Sequence, residues 1–284
     1  MPKKLLRKMI RSRLFRRPME NHRGRHCGCA PGTHAALVNL ITQHITPAQN
    51  QDTSGVLDIG AHAGALLLRL QDHGFTDLSG TDLDATRFDV PDAAFQQLEL
   101  NNTFADAFHR RFQLITSTDV IEHLDSPRNF FEQVHHLLHD DGHLALSLPN
   151  VAFWEGRLKF LLTGELWGFG ARNYRTQRHI SPITFEQMSM MLDELGFELI
   201  ASTSGGSFAT QAWRTLTFPL WGPLRLLGGA HTQGECAIFL ARRRAPNAAL
   251  KQPEHYQTRW EGTPDTIGLD NTASPTLPPG LQPA

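Results

Sequence analysis

Val56-Leu-Asp58-Ile-Gly60-Ala-His62-Ala-Gly64-Ala-Leu-Leu-Leu-Arg-Leu70 is the stretch on which the fold turns. It opens as a short apolar run, passes through two glycines and continues as a leucine-rich helical pattern. That order predicts a buried strand, a tight turn and the N-terminus of a helix. In an open parallel sheet such a turn lies at the carboxyl edge of the strands, where ligands with nucleotide-like parts bind. The spacing is not the G-x-G-x-x-G of dinucleotide binders, because His62 and Ala65 stand at the second and third glycine positions.

Outward from this stretch, strands alternate with helices. An amphipathic helix carrying Ala36, Leu37, Leu40, Ile41 and Ile45 precedes the first strand. Residues 77–84 read as a second strand ending in acid, and 98–101 as a third short strand or a strand end. Residues 112–119 read as a fourth strand, followed by a helix that buries Phe130, Phe131, Val134, Leu137 and Leu138. Asp140-Asp141-Gly142 closes that helix with a turn, and 143–150 read as a fifth strand. A helix at 185–195, a strand at 197–202 and a last strand at 236–241 complete a doubly wound α/β pattern.

Two aromatic-leucine segments break the alternation, at about 151–180 and 208–230, among them Phe153, Trp154, Trp167, Trp213 and Trp221. They read as a cap, either an apolar substrate wall or the packed core of a small subdomain. Beyond Arg244 the chain is rich in Pro, Thr, Asn and Gln, so 245–284 is expected to be a disordered tail. The organisation is then an arm at 1–30, a main domain at 31–244 and the tail.

The arm is basic. Residues 3–17 hold many Lys and Arg and no acid, with Leu5, Leu6, Met9, Ile10 and Leu14 at near-helical spacing. That is a basic amphipathic helix, with peripheral contact to an anionic membrane surface or a solvated arm as its two readings. His22-Arg-Gly-Arg-His26-Cys27-Gly-Cys29 fits no zinc spacing and reads as a polar linker. The whole chain has 40% hydrophobic and 19% charged residues with a net charge of −1, the profile of a globular protein with no global attraction for nucleic acid. Its three cysteines suit a reducing compartment, and no apolar run or secretory leader stands out, so a cytoplasmic location is expected.

With Asp82 following the glycine turn at a strand end, an acid is placed to accept hydrogen bonds from a ribose diol. At this point the chain resembles the class I S-adenosylmethionine-dependent methyltransferases, in the branch that includes ubiquinone-biosynthesis-type O-methyltransferases. The resemblance covers roughly 31–241 and rests on ordered motifs. The family's D-x-G-x-G-x-G appears as Asp58, Gly60 and Gly64, with His62 in place of the middle glycine. Its strand-two acid is Asp82, its acid-Leu-Asn step is Glu99-Leu100-Asn101, and its E-V-I-E-H-L is Asp119-Val-Ile-Glu122-His123-Leu124. P-G-G becomes Asp140-Asp141-Gly142, T-P-N becomes Leu148-Pro149-Asn150, and H-I-T-P-I becomes His179-Ile-Ser-Pro-Ile183. Gln113 replaces the usual acid after Phe112.

The resemblance implies a mostly parallel, seven-stranded, Rossmann-like methyltransferase sheet with helices on both faces and a helical, aromatic cap. It implies S-adenosyl-L-methionine as cofactor, with Gly60 and Gly64 lining its methionine part, Asp82 on the ribose, Glu99 and Leu100 beside the adenine, and Asp58 and Asp119 as further cofactor-binding residues. The acceptor would be a small molecule, phenolic, sugar or lipid-like, methylated on a hydroxyl oxygen. His179 and His123 are the candidate catalytic bases. Asp119, Glu122 and His123, at i, i+3 and i+4, would share one face of a helical turn. With His179 they make a candidate site for a divalent metal such as Mg²⁺, able to orient a diol and acidify its hydroxyl. The other readings are a nicotinamide-dependent oxidoreductase on a similar sheet and a cofactor-binding scaffold without catalysis.

Overall fold

The computed structural model describes residues 16–47, 55–220, 222–223 and 233–244. Most of the basic segment and all of the expected tail therefore lie outside the described residues. A short antiparallel hairpin, β1 (Asn21–His22) and β2 (Arg25–His26), leads into α1 (Thr33–His44). β3 (Val56–Ile59) is buried at every position and runs through the glycine turn into α2 (Ala65–Asp72). Then follow β4 (Leu78–Asp82), β5 (Ala94–Gln97), β6 (Phe112–Thr118), α3 (Pro127–Leu137) and β7 (Leu138–Pro149). The cap helices α4 (Trp154–Thr163) and α5 (Ala171–Gln177) precede α6 (Phe185–Glu194), β8 (Phe197–Gly205), α7 (Gln211–Leu216) and β9 (Cys236–Arg243).

The seven strands β3–β9 form one sheet in the order β5-β4-β3-β6-β7-β9-β8. β3 is central, with Val56 opposite Leu78 of β4 on one side and Leu114 of β6 on the other, both parallel. Only β9 runs against its neighbours, β7 and β8. From β3 the chain winds outward through β4 and β5, then returns to place β6 on the opposite side of β3. That reversal opens a crevice at the carboxyl ends of β3 and β6, the place where such sheets bind ligands.

Both sheet faces are covered, which is why the central strands read as unbroken apolar runs. On one face Phe130 and Phe131 of α3 and Met188 and Leu192 of α6 pack with Phe197 and Phe239. On the other, Leu37 and Ile41 of α1 meet Leu66, Leu67 and Leu70 of α2. The helix starts are specified locally. Ser126 accepts the Asn129 amide ahead of Pro127, and Thr184 with Gln187 closes a capping box at α6.

Three sequence expectations change. The stretch His22–Cys29 is not a polar linker: it forms the hairpin, and Cys27, Cys29 and Ala30 are buried against the domain. Composition hid this because His22 and Arg23 face outward onto Asp72 and Gln71 while the thiols turn inward. Asp140-Asp141-Gly142 does not separate helix from strand. The chain enters β7 at Leu138, and the segment bulges out where the β6 partners step from Leu138 to His143. The third strand ends at Gln97, so 98–101 lies just past its carboxyl end. Its sequence, Ala-Phe-Gln-Gln, is an edge strand too exposed to show an apolar run.

Candidate active site

The glycine turn is held to the neighbouring strand by three amides. Gly60 and Ala61 both donate to the Thr81 carbonyl, at 2.8 and 3.0 Å, and His62 donates to Asp82 Oδ2 at 2.8 Å. Gly60 and Gly64 have φ of 80° and 81°, and a Cβ on either would lie 2.2 Å from Val120 Cγ2 or 2.0 Å from Val90 Cγ2. Both positions therefore exclude a side chain twice over, by conformation and by space. His62 also has a positive φ, 48°. Its ring reaches Arg87, with Nε2 3.0 Å from Nη1, while Nδ1 is buried without a hydrogen-bond partner at the edge of the cleft.

This turn forms the floor of a cleft of about 370 Å³, within the range of small-molecule sites. Of the residues singled out in the sequence, Asp58, Gly60, Asp82, Glu99, Leu100, Asp119 and His123 line it. Gly64, Glu122 and His179 do not, although Glu122 and His179 stand directly behind His123. The sequence reading missed Cys27, Gly28, His34 and Arg178, which also line the cleft. The first three come from the hairpin and α1, folded over the cleft; a buried His and Cys in a basic stretch carry no periodic signal. His34 carries no motif that marks it in the sequence. It is buried, its Nδ1 meets no partner, and desolvation lowers its pKa to about 3, so it is neutral.

The donor set suits S-adenosylmethionine. At one end Asp82 closes β4, beside Leu83, Leu98 and Leu100, an acid next to an apolar slot. Glu99 accepts from the Asn101 amide and side chain through the same oxygen, leaving Oε2 without those bonds. At the other end Asp58 is buried, and desolvation lifts it from 3.8 to about 7 despite a 2.7 Å hydrogen bond from Thr116 Oγ1. Burial likewise raises Asp119, which accepts from Ser147 Oγ at 2.8 Å. Two carboxyl groups that are costly to ionise alone become stable as anions beside a sulfonium or an ammonium group.

Asp119 does not join Glu122 and His123 on one helical face. It has φ 52°, and its carboxylate turns to Ser147 and to Cys236, whose Sγ is 3.7 Å away. The tight turn begins only afterwards, at Ile121–His123. The i, i+3, i+4 argument fails because a left-handed residue resets the direction of the chain before the turn.

What does come together is Glu122, His123 and His179, whose nearest ligand atoms all lie within 4.8 Å of one another. Glu122 is fully buried, neither carboxylate oxygen has a partner, and desolvation, reinforced by Asp119, raises its pKa well above 4.5. His123 Nε2 is 3.9 Å from Glu122 Oε1, and its ring meets that of His179 edge-on at 4.7 Å. His179 Nδ1 donates to the Gly168 carbonyl at 2.8 Å, which leaves Nε2 with the lone pair. Desolvation and the neighbouring His123 lower His179 to about 4. The backbone of Glu122 fixes the cap above it, since its carbonyl accepts the amides of Ile180 and Ser181 at 2.8 and 3.1 Å.

The sheet order, the loop and the acid at the end of β4 make a Rossmann-like sheet with a nucleotide-type cleft at its carboxyl edge. A family model described as a methyltransferase domain matches residues 24–202, and the chain belongs to that family. It is an S-adenosylmethionine-dependent methyltransferase, which removes the nicotinamide reading. Solved structures share the fold at low sequence identity. One is an S-adenosylmethionine-dependent methyltransferase from Archaeoglobus fulgidus, at 13% identity and TM-score 0.51, covering 74% of this chain and 95% of that one. Another is a putative methyltransferase from Bacillus halodurans, at 15% identity and TM-score 0.50, covering 75% and 99%. No curated protein matches the sequence.

Proposed function

We propose that this enzyme methylates a hydroxyl oxygen of a small molecule, in the manner of the ubiquinone-type branch that its motifs resemble. The observation that carries the reading is the Glu122–His123–His179 cluster against the cleft, a proton-accepting group of a kind that transfer to a neutral hydroxyl requires. Bound S-adenosylmethionine supplies an activated methyl on a sulfonium, whose carbon–sulfur bond breaks as the carbon–oxygen bond forms. Asp82 would hold the ribose diol, Glu99 and Leu100 would border the adenine, and Asp58 and Asp119 would face the positive methionine end.

His123 reaches the cleft itself and takes the acceptor's proton. Glu122, behind it, faces the resulting imidazolium, whose positive charge favours the ionised carboxylate. His179, which the sequence suggested as a base, lies outside the cleft lining and positions His123 from behind. The test is product formation with phenol, catechol and sugar acceptors, read as S-adenosylhomocysteine released. His123→Ala should lower kcat by about a hundredfold or more while cofactor affinity stays within a few-fold. An unchanged kcat would overturn the assignment.

A second reading is favoured by the two unpartnered oxygens of Glu122. Glu122, His123 and His179 present one carboxylate and two imidazoles, donors suited to a divalent cation with open positions. Asp119, turned toward Ser147 and Cys236, would not be a ligand. Such an ion would hold Glu122 ionised and acidify a bound hydroxyl. Full activity after exhaustive chelation excludes it.

A further inference from the structure

We infer that the cap docks this enzyme onto an anionic membrane surface. On α4, Phe160, Leu161 and Leu162 are exposed in succession, with Leu161 at 80% and Leu162 at 73%. On and after α7, Leu216, Phe218 and Leu220 are exposed as well. The two helices belong to one cap, joined by the Trp213 Nε1 hydrogen bond to Glu155 Oε1 at 3.0 Å. Apolar side chains exposed to that degree and in that number mark an interaction surface.

Charge decides what the surface meets. Residues 151–178 and 209–220 carry six Lys or Arg against two acids, and residues 3–17 carry eight against none. The whole chain has a net charge of −1, so the remainder carries −13 and the positive charge is concentrated in these segments. The described end of the basic segment, Arg16 and Arg17, contacts the same cap. Arg16 bridges to Ala209, its guanidinium lies 5.2 Å over the Phe208 ring, and the Arg17 amide donates to the Phe208 carbonyl.

A symmetric contact with a second copy would press two positive faces together. Nucleic acid would satisfy the charge but not a row of aliphatic leucines, since bases are bound by aromatic stacking. A bilayer with anionic headgroups satisfies both, taking the leucines into the acyl boundary and the cations to the phosphates. Arg178, at the end of α5, lines the cleft, so the docking cap also borders the entrance for the acceptor.

The test is co-sedimentation of the full chain with vesicles of phosphatidylcholine, alone or with roughly one third phosphatidylglycerol. The wild type should bind the anionic vesicles, release in high salt, and bind pure phosphatidylcholine at least tenfold more weakly. The variant Leu161→Ser/Leu162→Ser/Phe218→Ser should lose about tenfold in vesicle affinity or more. Its S-adenosylmethionine binding by calorimetry should stay at the wild-type value, showing an intact fold. Three outcomes overturn the proposal: no binding of the wild type to anionic vesicles, undiminished binding of the variant, or a wild-type dimer in solution that the variant dissociates. Each is independent of whether any acceptor is turned over.

Discussion

The backbone amide of His62 donates to Asp82 Oδ2 at 2.8 Å, which ties the glycine turn to the acid that closes β4. The bond is made by an amide, not by the imidazole, and it survives any replacement at position 62 that keeps the backbone conformation. His62→Gly should therefore retain cofactor affinity within about threefold and relieve roughly 1 kcal/mol of left-handed strain. His62→Val should cost more than 1 kcal/mol, because a β-branched residue tolerates φ > 0 worst. Thermal unfolding beside calorimetry on the three proteins checks both statements.

Asp82→Asn keeps the shape of the carboxylate but removes its charge and one acceptor. A diol held by two charge-assisted bonds then loses about 1.5–3 kcal/mol, or roughly ten- to a hundredfold in Kd for S-adenosylmethionine. An affinity unchanged by this substitution would place the ribose elsewhere.

Asp58 gives cofactor binding a pH dependence. Its carboxyl is raised from 3.8 to about 7 by burial. The folded apoprotein therefore holds a proton that the unfolded chain has released, and its contribution to stability is largest below pH 3.8 and falls as pH rises to about 7. A cationic ligand favours the ionised form, so affinity should climb as pH rises through 7. Asp58→Asn should flatten that climb and remove the associated loss of stability. Calorimetry between pH 6 and 8.5 reads the first effect, and denaturant unfolding reads the second.

The fold was legible because its signals are local. The run Val56–Ile59 with the two glycines after it, and the polar ends of β4 and β6, are written in consecutive residues. The acids that line the cleft were readable for the same reason, as Asp82 at the end of β4 and Glu99 just past β5 show. The illegible parts depend on distant contacts. Cys27 and His34 reach the cleft because the hairpin folds back over it, with Glu20 accepting from Arg69 and from the Gly32 amide. Asp119 left its expected face because of one positive φ, stabilised by Ser147 and Cys236 on two other strands. No spacing rule along 119–123 contains that information.

Neutral histidines, His34 buried and His135 and His179 half-buried, should make the enzyme acid-labile at an unusually high pH. Desolvation lowers His34 to about 3, and His135 and His179 to about 4, from an ordinary value of 6.5. Each contributes stability that is present above pH 6.5 and lost as pH falls toward the lowered value, because the unfolded chain takes up the proton first. The slope is about 1.4 kcal/mol per pH unit for each such group. Urea unfolding at pH 6.5 and 5.0 should show a loss in the wild type that His34→Gln reduces by roughly 1–2 kcal/mol. Equal losses in both proteins would show that His34 titrates normally.

Glu122 separates stability from function most cleanly. Its carboxyl is fully buried, both oxygens lack partners, and burial raises its pKa well above 4.5. Glu122→Gln keeps the shape and removes the charge, so it should leave the apoprotein at least as stable as the wild type at pH 8. The same change removes the anion behind His123, and kcat should fall by about a hundredfold or more with the Kd for S-adenosylmethionine unchanged. If a divalent ion occupies the cluster, Mg²⁺ or Mn²⁺ should raise the wild-type melting temperature and leave that of Glu122→Gln fixed. A metal-independent melting temperature together with the loss of kcat assigns Glu122 to proton balance. A variant with wild-type kcat would leave the buried carboxyl without a part in methyl transfer.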